Sequence, residues 1–183
     1  CQLVRFSPLT NGDVRTLLLE QGLVQSDAEA EFASVLSEGS LATARQLLEP
    51  ELRALRSVLY SQLAAPNFSG LSLSKQLIEG IGKISSDVPE QRRNGQWLIR
   101  FTVEFFRTAL WILNGAENSS LSITEARSFA NRFGNNEGGP ELLGNMIDRA
   151  IDASSHIDQY VTFPLALDSL FDDLARMLRT VRA

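Results

Sequence analysis

Asp148 and Asp152 stand four residues apart and Asp172 and Asp173 are adjacent, so each pair could share a proton in general acid–base work. A spacing of four puts Asp148 and Asp152 on one helix face. Both pairs read as solvated helix surface. His156 is the only histidine and Cys1 the only cysteine. One of each cannot build a tetrahedral zinc site, and a single cysteine excludes a disulfide framework. A Cys1–His156 nucleophile pair would set its thiol on the first residue of the chain. His156, near the end of a helix, reads as a surface group that compensates the helix dipole. Gly134–Pro140 is glycine-rich and precedes a helix, a setting that can bind anions. It has no strand before it and no Lys or Arg within it, which is the pattern of a surface loop. Trp97 and Trp111, fourteen residues apart, fall on nearly the same side of a helix. They could stack bases, but their apolar surroundings favour a core or subunit-interface role. The chain has no G-x-x-x-x-G-K-[ST] loop, G-x-S-x-G elbow, H-E-x-x-H helix or EF-hand loop. Two classes remain: a helical scaffold or interaction module, and the accessory part of an enzyme whose active site lies elsewhere in a longer protein.

Composition points the same way. The 183 residues are 44% hydrophobic and 21% charged, with a formal net charge of -5. An acidic balance argues against a dedicated nucleic-acid surface, which must neutralise phosphates. The start at Cys1 reads as a cut end within a longer protein. No charged segment leads into an apolar one, so no signal peptide is expected. The cysteine usage suits a reducing, cytoplasmic compartment. The most apolar run, Trp97–Leu113, approaches the length of a membrane span. Arg100, Glu104 and Arg107 interrupt it at i, i+4 and i+7. That stripe can pair with itself, and it describes a buried helix with one wet edge rather than a bilayer segment.

The elements that must position these residues are helical throughout. Cys1–Phe6 reads as extended chain. Thr10 can cap a first helix with Asp13 in its first turn, an apolar face of Val14, Leu17 and Leu18, and Gly22 at its end. Ser26-Asp-Ala-Glu29 has the form of a capping box for a second helix burying Phe32, Val35 and Leu36. Gly39 breaks that helix, and Ser40 caps a third with Leu41, Ala44, Leu47 and Leu48. From Pro50 the helices lengthen. Leu52, Leu55, Leu59 and Leu63 mark one, and Leu73, Leu77, Ile81, Ile84 and Val88 recur at helical spacing in the next, locally weakened by Gly80 and Gly82. After Pro89 a long helix runs from about Glu90 to Leu113. Ser122-Ile-Thr-Glu125 is a second capping box for a short helix. Leu143, Met146, Ile147, Ala150 and Ile151 face inward on the one that follows. Thr162 can cap a last helix whose stripe includes Leu167, Leu170, Phe171, Leu174 and Leu178. The expected fold is all-α. It comprises a small three-helix domain over 1–49 and a helical domain of about five to six helices over 50–183.

Three ordered stretches resemble one family. Cys1-Gln-Leu-Val-Arg-Phe-Ser-Pro-Leu9 is similar to the junction after the sensor-1 strand of clamp-loader AAA+ modules, where a Ser-Arg-Cys motif leads into a Phe-x-Pro-Leu-like turn. Gly39-Ser40 followed by Leu41-Ala-Thr-Ala44 resembles the start of the sensor-2 helix. Gamma-type subunits there resemble Gly-Ser-x-Arg-Asp-Ala, whereas this chain has Ala42 at the arginine position and Thr43 at the aspartate position. Arg45 stands at a different angular position and is not assigned that role. Leu165-Ala-Leu-Asp-Ser-Leu170 fits the Leu-x-Leu-Glu-x-Leu helix that ends the collar domain, while Gln159–Pro164 departs from the asparagines usual before it. Together these resemble the lid and collar of a bacterial DNA polymerase III clamp-loader subunit of the delta-prime type.

The resemblance implies a non-catalytic part of a replication machine. Residues 1–49 would be the AAA+ lid and 50–183 the collar that joins gamma/tau-type and delta-type subunits while the complex loads the sliding clamp onto primed DNA. It implies no cofactor, no metal and no membrane partner. Gly39, Ser40 and Ala42 would form a degenerate nucleotide-facing region. Trp97, Phe101, Phe105, Leu167, Leu170 and Leu174 are the candidate subunit-interface residues. The alternatives are a piece of a gamma/tau-type ATPase, which Ala42 disfavours, or an unrelated all-α adaptor.

Overall fold

The computed structural model describes residues 7–115, 123–133, 138–159 and 161–180. Every regular element among them is helical, so the fold is all-α. The chain divides into two compact units between Arg53 and Ala54. That point lies inside a helix, Pro50–Ala64, and four residues beyond the Glu49–Pro50 boundary expected from sequence.

The first unit is built on α1 (Asn11–Glu20), α2 (Asp27–Leu36) and α3 (Leu41–Leu47). Thr10 and Asp13 form a full capping box at the start of α1. The Asp13 amide donates to the Thr10 hydroxyl at 3.1 Å, and the Thr10 amide donates to the Asp13 carboxylate at 3.2 Å. The helix ends in a Schellman motif. Gly22 takes φ = +62°, its amide donates to the Leu19 carbonyl, and the Leu23 amide donates to that of Leu18. Ser26 precedes α2 as expected but makes no side-chain cap bond. The Glu29 carboxylate, which would have closed that box, is taken by Arg53. A charged partner outcompetes a neutral backbone amide for a carboxylate. Val14, Leu18, Val24, Ala30, Ala33 and Ala44 form the core, with Leu41 and Leu48 packed against it. Phe32, Leu36 and Leu47 are also buried in this unit.

The second unit contains the rest of α4 (Pro50–Ala64), then α5 (Gly70–Ile84), α6 (Val88–Leu113), α7 (Thr124–Ala130) with a 3-10 turn at Asn131–Phe133, α8 (Gly139–Asp158) and α9 (Phe163–Thr180). The long helix is α6, opened by the Asp87 carboxylate, which accepts from the Glu90 amide at 3.3 Å. It packs against α5, α7, α8 and α9, and α5 and α8 each lie along α9. Because α6 has neighbours on several sides, residues as far apart around it as Leu98, Phe101 and Phe106 are all fully buried. That is how a nearly all-round apolar helix behaves in a protein core. No helix among the described residues is long and apolar enough to cross a membrane.

Two helix ends are closed by arginines from elsewhere in the second unit. The Arg132 guanidinium donates to the carbonyls of Ala65 at 3.0 Å and Leu63 at 3.3 Å, at the end of α4. Arg92 of α6 donates to the Ile157 carbonyl at the end of α8. Terminal carbonyls lack partners within their own helix. Arg132 also lies 4.7 Å from the Phe129 ring centroid. Arg132→Ala therefore lowers the unfolding free energy by about 2 kcal/mol, the scale of charged hydrogen bonds lost to partly buried acceptors. Urea titration followed by circular dichroism reads this directly, and a loss below about 0.5 kcal/mol would show that water replaces the guanidinium without cost.

Ser122 and the start of the Ser122–Glu125 box lie outside the described residues, as do Cys1–Phe6 and most of the Gly134–Pro140 loop. Within the described part, Ile123 holds the N-cap position of α7 without a side-chain bond, and Gly138 that of α8.

Candidate functional site

The Gly39–Ser40 turn lies where the sequence places it, at the start of α3. Ser40 accepts the Thr43 amide at 3.2 Å, and its carbonyl accepts the Ala44 amide at 2.9 Å. Gly39 is half-buried at φ = +79°, and Ala42 is exposed in the first helical turn. Residues 1–53 contain four arginines, no lysine and eight carboxylates. The three arginines described there are all engaged away from Ala42. Arg15 grips Asp27 at 2.5 Å with Glu31 at 3.8 Å, and this pairing raises its already high pKa. Arg53 holds Glu29, and Arg45 donates to the Gln21 side-chain carbonyl at 2.7 Å. Arg45 thus ties α3 to the end of α1. The first turn of α3, Leu41–Ala44, carries no cation.

The six candidate interface residues are placed differently from the expectation. Phe101, Phe105, Leu167, Leu170 and Leu174 are fully buried within the second unit, and Trp97 is nearly so. They are the core of their own unit and have no surface to offer a partner. An apolar helical stripe reports that a face is covered, not which chain covers it. Phe105 stands at the centre of an aromatic cluster, with ring centroids 5.5 Å from Tyr60, 5.5 Å from Phe106 and 5.4 Å from Phe129. Tyr60 is buried there, and desolvation pushes its phenol pKa well up. Arg56 opposes this shift, and Glu104 and Glu125 add to it. The Tyr60 hydroxyl therefore stays protonated at any physiological pH.

Among the described residues of the second unit, the large apolar side chains that face outward are Leu71, Val88, Leu165 and Ile151, with relative exposures of 71, 70, 62 and 49%. All but Ile151 sit in the first turn of a helix, on α5, α6 and α9. Nothing within the second unit covers them, and the sequence alone did not separate them from the core.

The charged groups divide similarly. In the polar stripe of α6, Arg107 bonds Glu104 at 2.9 Å and Arg100 lies over Trp97 at 5.2 Å. Arg107 also covers the half-buried Trp111 ring at 5.3 Å. Neither tryptophan presents an open face for bases. Asp172 and Asp173 share Arg176, at 3.0 and 2.6 Å, and Asp173 also accepts Arg149 of α8 at 2.7 Å. Asp173 thereby joins α9 to α8, while Asp172 pairs within α9. Asp148 and Asp152 are exposed along a shallow groove of about 450 Å³ whose lining includes Leu142 and Met177. His156 is exposed in the last turn of α8. Among the described residues, no three His, Cys, Asp or Glu side chains converge to hold a metal ion. No protein-family model, curated protein or solved structure matches the chain.

Proposed function

We propose that this chain is the lid and collar of a bacterial clamp-loader subunit of the delta-prime type, a cytoplasmic, non-catalytic scaffold of DNA polymerase III. The observation that carries the reading is the start of α3. A positive-φ Gly39 and a capping Ser40 open the helix in the manner of a sensor-2 element, yet Ala42 is exposed where the ATP-binding relatives place arginine. A phosphate contact requires a cation or a free donor fork at that point, and the neighbouring Arg45 is committed to Gln21. On this reading the unit would be a lid that lacks the charge of a nucleotide sensor. Residues 50–183 would then hold the subunit in the ring with gamma/tau-type and delta-type partners through outward-facing residues of the second unit such as Leu71, Val88 and Leu165.

The test is assembly. A full-length parent chain, mixed with gamma- and delta-type subunits and resolved by size-exclusion chromatography with light scattering, is expected to enter the complex. The same chain lacking residues 51–183 is expected to stay out. Undiminished complex formation by the truncated chain overturns the proposal. ATP turnover by the isolated full-length subunit would favour the gamma/tau-type ATPase instead.

A further inference from the structure

Ser7, Pro8, Leu9 and Thr10 lead into α1 along the surface, with Leu9 39% exposed. The Leu9 amide donates to the Gly39 carbonyl at 3.1 Å. The approach is so close that a Cβ on Gly39 would stand 2.4 Å from the Leu9 carbonyl oxygen and 2.6 Å from the Pro8 Cβ. Gly39 belongs to a four-residue turn closed by the Ser40 amide on the Ser37 carbonyl at 3.0 Å. Both central residues have positive φ: Gly39 at +79° and Glu38 at +52°. Glycine adopts this conformation freely. Glutamate does not, and its side chain clashes with its own backbone there. Glu38 is the only non-glycine residue described with positive φ. Strain of this kind persists only where surrounding contacts enforce it.

We infer that Pro8–Leu9 and the Glu38–Gly39 turn form a spring-loaded latch, in which the leading segment holds the turn strained and, on release, lets Glu38 relax and frees the start of α3. Three features make it a device rather than a fixed part of the core. The leading segment runs along the surface, and its Leu9–Gly39 backbone hydrogen bond lies at that exposed edge, which places its opening at the low-stability end of the molecule. The strain at Glu38 favours the open state. The next residue, Ser40, is the cap of α3, so relaxation of the turn removes the Thr43 bond at once. Displacement of Pro8–Leu9 is thereby converted into release of a helix terminus. The latch does not depend on the clamp-loader reading.

Amide hydrogen exchange on the chain tests it, with Leu9 as the latch reporter and Ala33, in the buried interior of α2, as the reporter of global opening. The Leu9 amide is expected to be protected yet to exchange at least a hundredfold faster than that of Ala33. Glu38→Ala and Glu38→Gly both remove the carboxylate and differ in tolerance of positive φ. Leu9 protection should be about fivefold greater in the glycine variant, a left-handed cost of roughly 1 kcal/mol converted at 1.36 kcal/mol per factor of ten. Gly39→Ala should abolish Leu9 protection. Should that variant fail to fold, the Glu38 pair still decides. Equal Leu9 protection in the two Glu38 variants, or exchange of Leu9 at the rate of Ala33 in the parent chain, would overturn the latch.

Discussion

Phe105→Ala lowers the unfolding free energy by about 4 kcal/mol in urea titrations, with little change in the steepness of the transition. Phe105 is fully buried, and its ring meets Tyr60, Phe106 and Phe129 within about one ring diameter. Truncation of a buried phenylalanine costs roughly 3–5 kcal/mol, partly as lost transfer energy and partly as the cavity left behind. Edge-to-face ring pairs add about 0.5–1.5 kcal/mol beyond area. The cavity cannot close easily, because Phe105 is held between α4 and α7 by two other aromatic residues that must both move to fill it. Phe105→Leu, which keeps most of the volume, should cost about 1.5 kcal/mol. The experiment also separates the two roles considered for this residue. A subunit-contact phenylalanine would lose assembly and keep stability on truncation, whereas a core phenylalanine loses stability first. A change below 1 kcal/mol in the isolated chain would contradict the placement of Phe105.

Gly70→Ala is expected to cost about 3 kcal/mol, although alanine is the better helix former. The first residue of α5 lies against the backbone of α9. A Cβ on Gly70 would stand 2.1 Å from the Phe171 carbonyl oxygen, 2.4 Å from its carbonyl carbon and 2.8 Å from the Asp172 nitrogen. None of these atoms can rotate aside as a side-chain tip would. Relief requires α5 and α9 to separate, in one of the most extensive helix–helix contacts of the unit. Overpacking of a formed core costs about 1–3 kcal/mol and sometimes more, which exceeds the 0.8–1.0 kcal/mol or so of helix propensity gained. Gly82, in the last turn of the same helix, has open space around its Cβ position. Gly82→Ala should therefore stabilise by about 0.5 kcal/mol, the opposite sign from Gly70→Ala. Thermal unfolding of the two variants side by side is sufficient. Equal shifts in Tm would mean that the α5–α9 approach is looser than the geometry states.

These variants trace where sequence reading succeeds. The Thr10–Asp13 box, Gly22 and the spacing of Leu73, Leu77 and Ile81 involve residues within a few positions of one another, and the helices they mark are present. The Ser26–Glu29 box follows the same local rule and is not closed, because Arg53, twenty-four residues on from Glu29, takes the carboxylate. Gly70, Gly80 and Gly82 look alike in sequence. Gly70 meets the backbone of α9, Gly80 receives the Leu55 side chain and Gly82 meets nothing.

The turn at Gly39–Ser40 was legible because a glycine that breaks a helix and a serine that caps the next are local signals. The engagement of Arg45 with Gln21 carried no signal in the pattern. Sequence by itself determined an all-α chain and the approximate helices, since periodicity and caps act over one or two turns. Tertiary structure alone decided that Trp97, Phe101, Phe105, Leu167, Leu170 and Leu174 face inward and that Leu71, Val88 and Leu165 face outward. An apolar stripe needs cover, and which surface supplies it depends on contacts between residues far apart in the chain.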